Sequence, residues 1–277
     1  MAKSKIKVYK ISNSPKQSER INQALKDLSL EGMSSSFDRF AQDCLKNKKT
    51  PYDFLESLLQ NEFTLREDSR LQRWIQKAVF PFEKTLKDFK FKFQPTIDEV
   101  QIRDLASCRY IDKKEDVVFM GPPGVGKTHL AVALGYEAIY SGHDARFFTL
   151  DKIVDLVEKT TTAEERHRLF TSLLAPELLI LDEMDLYETS SNAATFLFKL
   201  LHQRYETGSV IFTSNRSFDD WGKLFGSPQR AAAILDRIHH HATIIQIKGE
   251  SFRLKDRPRN NLSIEGENTQ ALIVNSN

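Results

Sequence analysis

Gly121, Pro122, Pro123, Gly124, Val125, Gly126, Lys127 and Thr128 complete the pattern G-x-x-x-x-G-K-[ST] without a gap. Glycines at these places let backbone N–H groups turn inward around phosphate oxygens. Lys127 supplies a point charge to the β- and γ-phosphates, and the Thr128 hydroxyl is a ligand for Mg²⁺. A helix beginning here adds its positive end. A second stretch, "LLILDE" at 178–183, ends an apolar run in two carboxylates, 55 residues after Lys127. Asp182 is the residue expected to reach the Mg²⁺ shell through water. Glu183 is expected to polarise an attacking water. A phosphate-loop kinase has no use for a base aimed at water, so Glu183 favours hydrolysis over phosphoryl transfer.

"SVIFTSN", 209–215, is a further apolar run with a polar end. Asn215 there can orient the same water or contact the γ-phosphate, and an ordinary strand-end turn fits the stretch nearly as well. "AAAILDRIHHHA" carries Arg237 on a helical pattern. An arginine donated by a neighbouring subunit stabilises transition-state charge, but taken alone a surface arginine reads first as a solvated side chain. His239, His240 and His241 are adjacent, so they cannot converge on one metal, and a zinc site is not expected.

The elements that must position these groups alternate between strand and helix, which argues for a parallel sheet with helices on its faces. Strands are expected at Asp116–Met120, Ala145–Leu150, Leu178–Leu181, Ser209–Thr213 and Thr243–Ile247. Helices are expected at Lys127–Tyr140 and Asn192–Tyr205, the latter ended by Gly208. Upstream the pattern is all helical. Thr50 can cap, Pro51 suits a first helical position and Asp53 suits the positive helix end. Phe54, Leu55, Leu58 and Leu59 share an apolar face, as do Leu71, Trp74, Ile75 and Ala78, with Pro81 as the expected stop. Between the two regions, "FPFEKTLKDFKFKFQPTID" interleaves phenylalanines with Lys84, Lys87, Lys90 and Lys92. Such interleaving can bind single-stranded nucleic acid. The stronger reading is a linker whose Phe face packs on the next domain while its lysines face water. The expected organisation is a basic flexible arm at 1–19, a helical domain at 20–80, a linker at 81–99, an α/β nucleotide-binding domain with a five-stranded parallel sheet at 100–255, and a disordered tail at 256–277.

The bulk numbers are those of an ordinary globular chain: 277 residues, 40% hydrophobic and 28% charged, with a net charge of +2. Charge is concentrated only at the start, where Met1 to Asp27 hold seven Lys/Arg against two Asp/Glu. Such an arm can touch phosphate backbones, or simply be solvated. Cys44 and Cys108 have no metal-ligand spacing and do not make a disulfide framework, which fits a reducing compartment. There is no apolar run of membrane-spanning length and no signal-peptide core, so a soluble cytoplasmic protein is expected.

Taken in order, these pieces resemble an AAA+ ATPase, and more narrowly the IstB-type helper ATPases of bacterial insertion sequences, relatives of the DnaC helicase loaders. The resemblance covers about residues 25–255. It rests on "LSLEGMSSSFDRF", "FLESLLQNEFTLREDSRLQRWIQKAVFP" and "KTLKDFKF" in the helical region. In the nucleotide-binding region it rests on "FMGPPGVGKTHLAVALGYEAI", "LLILDE", "FTSNRSFDDW", "AILDRIHHHA" and "SFRLK". The helical segment followed by "FP…KTL.DF" is the more specific part. The resemblance implies ATP and Mg²⁺ as cofactors, ATP hydrolysis at subunit interfaces, homo-oligomerisation as a ring or spiral, and bending of target DNA with a partner DDE transposase. It assigns Asn215 to the sensor position and Arg237 to the arginine finger. It also implies that no helical lid follows the last strand, in keeping with the 30 residues after Ile247. DNA contacts are expected to be mostly sequence-independent, from the arm and from the segments Lys159–Arg168 and Tyr187–Asn192. One departure stands out: after Asp182 and Glu183 the chain reads "MDLYE", where relatives are expected to place a glycine near Asp185. Two other functions share the same core: a helicase loader of the DnaC type, and a nucleotide-gated scaffold in which hydrolysis is vestigial.

Overall fold

The computed structural model describes residues 17–185 and 189–254. The basic arm up to Lys16, residues 186–188 of the second DNA-contact segment, and the tail with the expectation of a missing lid lie outside the described residues.

Three helices open the described chain: α1 (Gln17–Asp27), α2 (Glu31–Lys46) and α3 (Pro51–Ala78). The start of α3 is a capping box. Thr50 accepts from the Asp53 N–H, Asp53 accepts from the Thr50 N–H, and Pro51 takes the first turn, where no N–H is needed. The helix stops at Ala78, before Pro81, because Val79 turns left-handed at φ 56°. Phe80, two residues on, then packs beside Leu71, Trp74 and Ile75 of α3 on the core of the sheet. A left-handed residue followed by a proline within a few positions is a common helix ending.

From Phe80 to Ile97 the chain forms a strap with two short 3-10 turns, Leu86–Asp88 and Phe91–Phe93. Phe80, Phe89 and Phe91 pack against the core, while Lys84, Lys87, Lys90 and Lys92 are exposed. The apolar side of the strap is thus turned to the core and the lysines to water. Two short helices, α4 (Glu99–Leu105) and α5 (Arg109–Asp112), lead to β1 (Asp116–Met120).

The elements that follow among the described residues are α6 (Lys127–Tyr140), β2 (Ala145–Thr149), α7 (Leu150–Lys159), α8 (Ala163–Leu174), β3 (Leu178–Asp182), α9 (Ser191–Arg204), β4 (Ser209–Ser214), α10 (Pro228–His241) and β5 (Ala242–Gln246), with 3-10 segments at Phe218–Phe225 and Phe252–Leu254. All strand pairs are parallel, in the order β2-β3-β4-β1-β5. The small departures from expectation sit at element ends, including α9, which runs Ser191–Arg204 where Asn192–Tyr205 was expected. Leu150 begins α7, because Thr149 accepts from the Lys152 N–H and caps that helix. Asp182 and Ser214 extend β3 and β4 by one residue each, and β5 is shifted one residue towards its start.

Alternate residues of each strand enter two cores. Val117, Phe119, Ile180 and Ile211 face α6, α4 and α5. Val118, Leu179, Leu181 and Phe212 face α7 to α10. Covered on both sides, β1, β3 and β4 read as continuous apolar runs. Because all the strands run parallel, the loops after β1, β3 and β4 open at the same edge of the sheet, where parallel α/β folds form their ligand crevice. Among the described residues no helix is long and apolar enough to cross a membrane.

Candidate functional site

The phosphate loop leaves β1 at Gly121 and enters α6 at Lys127. Gly124 and Gly126 have φ of +82° and +103°, a region costly for side-chain-bearing residues. Close packing adds a second constraint. A β-carbon on Gly124 would lie 2.1 Å from Ser251 Oγ, and one on Gly126 would lie 2.6 Å from the Phe89 ring. Among the described residues, no backbone carbonyl accepts from the N–H groups of Gly124, Val125, Gly126, Lys127 or Thr128. A row of unpaired donors at a helix start is an anion cradle.

Lys127 is buried and folds back over this loop. Its Nζ donates to the carbonyls of Gly121 (2.7 Å) and Pro122 (2.9 Å) and to Asn215 Oδ1 (2.6 Å). Burial lowers its pKa from the ordinary lysine value, and the carboxylates of Asp185 and Asp182 oppose that shift. Thr128 Oγ1 donates to Asp182 Oδ1 at 2.9 Å, so the start of α6 and the end of β3 share one oxygen-rich corner. Thr213, on β4, donates to the same carboxylate. Burial raises the Asp182 carboxyl above its ordinary value despite these donors. A cation there would restore the ionised form. A hydroxyl ligand beside a carboxylate that can hold shell waters, completed by phosphates, suits Mg²⁺.

Glu183 follows in a left-handed turn, φ 59°, with its N–H on Thr213 Oγ1 at 3.0 Å. Its side chain is exposed and lines the same cavity as the loop. Asn215 follows β4 directly. Its Oδ1 faces Lys127 and its amide nitrogen donates to Asp185 Oδ2. Asp185 Oδ1 accepts from Ser214 Oγ and from the Asn215 N–H, both at 2.8 Å. Asp185 of the "MDLYE" stretch therefore ties the turn after β3 to the end of β4.

The cavity has a volume of about 510 Å³ and is walled on one side by the strap, including Phe82, Phe89 and Phe93. That wall is clasped. His129 Nε2 meets the Thr85 carbonyl at 2.9 Å, and the buried Gln94 donates to the Glu250 carbonyl at 2.9 Å. Thr96 Oγ1 bonds both ways with the backbone of Lys248, and Phe93 meets Phe252 edge to face. Phe252 N–H in turn reaches the Gly124 carbonyl at 2.9 Å. The same segment brings Arg253 to the cavity wall, where its charge acts on Lys127. Arg253 belongs to none of the chemical motifs in the sequence. Its only signal was membership of the "SFRLK" stretch.

Arg237 is not brought to this cavity. It sits on α10 beside the starting ends of β1 and β4, close to Asp116 and Val210. Its Nη2 is 3.1 Å from His202 Nε2, and its guanidinium lies over the Tyr205 ring at 4.9 Å. His239 packs on Phe218 and His241 on Tyr205, so these two rings diverge. In the segment Lys159–Arg168, Lys159 pairs with Asp155 and Arg168 with Glu164, both at the exposed surface, where such pairs contribute little.

A family model described as IstB-like ATP binding protein matches residues 23–260 of the chain. The insertion sequence IS21 ATP-binding protein of Pseudomonas aeruginosa is 39% identical over 233 residues, 84% of this chain and 88% of that protein. The insertion sequence IS5376 ATP-binding protein of Geobacillus stearothermophilus is 36% identical over 239 residues, 86% and 95% of the two chains. Among solved structures, DnaI superposes with a TM-score of 0.51 at 18% identity, covering 60% of this chain and 92% of that one, a likeness of fold alone.

Proposed function

The chain belongs to the family of IstB-like ATP binding proteins, and from that premise we propose that it is a Mg²⁺-dependent ATPase that helps an insertion sequence move. The observation carrying the enzymatic part is the Thr128–Asp182 contact, which joins the phosphate loop to the acidic end of β3 with Glu183 on the same cavity wall. The free N–H groups of the loop bind the β-phosphate, and Lys127 exchanges its two loop carbonyls for phosphate oxygens. Arg253 adds a second positive charge from the clasped segment. Mg²⁺, held by Thr128 and through water by Asp182, would neutralise charge on the β- and γ-oxygens. Glu183 takes a proton from the attacking water, whose oxygen bonds to the γ-phosphorus as the ADP oxygen leaves.

Arg237 lies away from the cavity of its own chain, which supports its action on a neighbour's nucleotide. On this reading hydrolysis needs an oligomer. The oligomer wraps and bends target DNA through backbone contacts and recruits a partner DDE transposase, in keeping with relatives named as insertion-sequence proteins. The deciding measurement is ATP turnover with duplex DNA for wild type and Glu183→Gln. Equal, slow turnover by both proteins rejects the ATPase in favour of a nucleotide-gated scaffold. A pull-down that captures a replicative helicase and no transposase rejects the transposition role in favour of a helicase loader.

A further inference from the structure

Asn215 is an amide between two charges of opposite sign. Its Oδ1 accepts from Lys127 Nζ at 2.6 Å, and its Nδ2 donates to Asp185 Oδ2. A carboxylate can only accept and an ammonium can only donate, so these neighbours fix which way round the amide sits. Turning it over would replace two charge-assisted hydrogen bonds by two repulsions. Asp185 itself is held in place. Its other oxygen accepts from Ser214 Oγ and from the Asn215 N–H, and Ser214 Oγ also receives the indole N–H of the buried Trp221 at 3.3 Å. Asp185 N–H bonds the Glu183 carbonyl at 2.7 Å around Met184, directly after the left-handed residue Glu183.

We infer that Asp185 is a positioning residue that presents Asn215 to the cavity as an acceptor and keeps its amide donor out of it. This rests on the reading of the cavity as an ATPase site. Its consequence is a division of labour. When phosphate draws Lys127 away, Asn215 Oδ1 is left facing the cavity while Nδ2 stays on Asp185. Asn215 then accepts a hydrogen bond from the attacking water and donates none to the γ-phosphate, a task left to Lys127 and Arg253.

The test is Asp185→Asn, which keeps the shape but offers one acceptor oxygen to two sets of donors. Affinity for a non-hydrolysable ATP analogue should stay within about threefold while kcat falls at least about tenfold, the split expected when an interaction of the reacting state alone is lost. Added to Asn215→Ala, the substitution should lower kcat no further, because Asp185 acts through Asn215. Additive losses would overturn the inference in favour of general support of the turn. A second readout needs no turnover. The side-chain ¹H–¹⁵N pair of Asn215 in nucleotide-free protein, identified by its absence in Asn215→Ala, should move in Asp185→Asn. An unmoved pair overturns the inference even if kcat falls as expected. A wild type that hydrolyses nothing rejects the ATPase reading, and the resonance pair then still decides the role of Asp185.

Discussion

The Phe89 ring occupies the place that a β-carbon on Gly126 would need, 2.6 Å from the nearest ring carbon. Gly126 is also at φ +103°, so two independent costs meet at one residue. Gly126→Ala should lower Tm by several degrees, since strain of about 1–3 kcal/mol at about 2–4 °C per kcal/mol is involved, and should abolish nucleotide binding. Adding Phe89→Ala should relieve the collision and leave the φ strain. Thermal melts of the two single variants and the double variant check this, and strictly additive losses would show that the ring and the loop are not in contact.

Lys127→Ala removes the side chain that bridges the loop carbonyls and Asn215. ATP affinity should fall at least about tenfold, the scale of a lost charge-assisted contact, with Tm nearly unchanged because a buried charge leaves with it. Calorimetric titration with ATP decides, and binding within twofold of wild type would move the phosphate site elsewhere.

Arg237→Ala should bind ATP as wild type does and lose hydrolysis. Mixed with Lys127→Ala, which lacks the loop cation but keeps its arginine, it should regain part of the activity, because an intact cavity of one protein can then face an intact arginine of the other. No recovery on mixing would remove Arg237 from a role between subunits.

Asp116 supplies a pH dependence of stability. Burial pushes its carboxyl up to about 7, against the opposing Val210 N–H and the nearby Arg204 charge. A raised carboxyl keeps its proton in the folded chain while the unfolded chain releases it near the ordinary value of about 3.9. Stability from this group is therefore full below that value, declines as pH rises towards 7, and is level above. Asp116→Asn is neutral throughout and keeps an acceptor for Val210. Its Tm should gain on wild type between pH 5 and pH 8, by a few degrees only, since Asp116 still meets some solvent. A difference that does not change with pH would refute the shift.

Gln94→Ala should loosen the clasp at both of its ends. The loss of one hydrogen bond amounts to about 0.5–1.5 kcal/mol, so global stability should change little. Backbone amide exchange should accelerate together in residues 80–97 and 248–252. Acceleration in only one of these segments would mean that Gln94 does not join them.

Much of the fold was legible because its signals are local. The β1 and α6 boundaries follow from an apolar run, a glycine loop and a helix start, all within one stretch. Asp182 was legible for the same reason, as a carboxylate ending a buried strand. Asp185 was visible only as a departure, since its partners Ser214 and Asn215 lie about thirty residues on and no spacing rule joins them. The strap was ambiguous for a different reason. Interleaved Phe and Lys describe a two-faced segment, and only the tertiary contacts of Phe89 with Gly126 and His129 show what the apolar face covers. Arg253 had no mark to set it apart, being one of several cations after the last strand, with Lys248 before it and Lys255 two residues on.

The resting place of Arg237 has a kinetic consequence. On the proposed reading the guanidinium must leave His202 and Tyr205 before it can reach a neighbour's phosphate. The isolated subunit thus competes with its own assembly for one side chain. Turnover per subunit should then rise more steeply than linearly with protein concentration, and loss of the Tyr205 ring should shift that threshold downward. A lone copy would be idle by construction, spending no ATP until neighbours and target are gathered in one place.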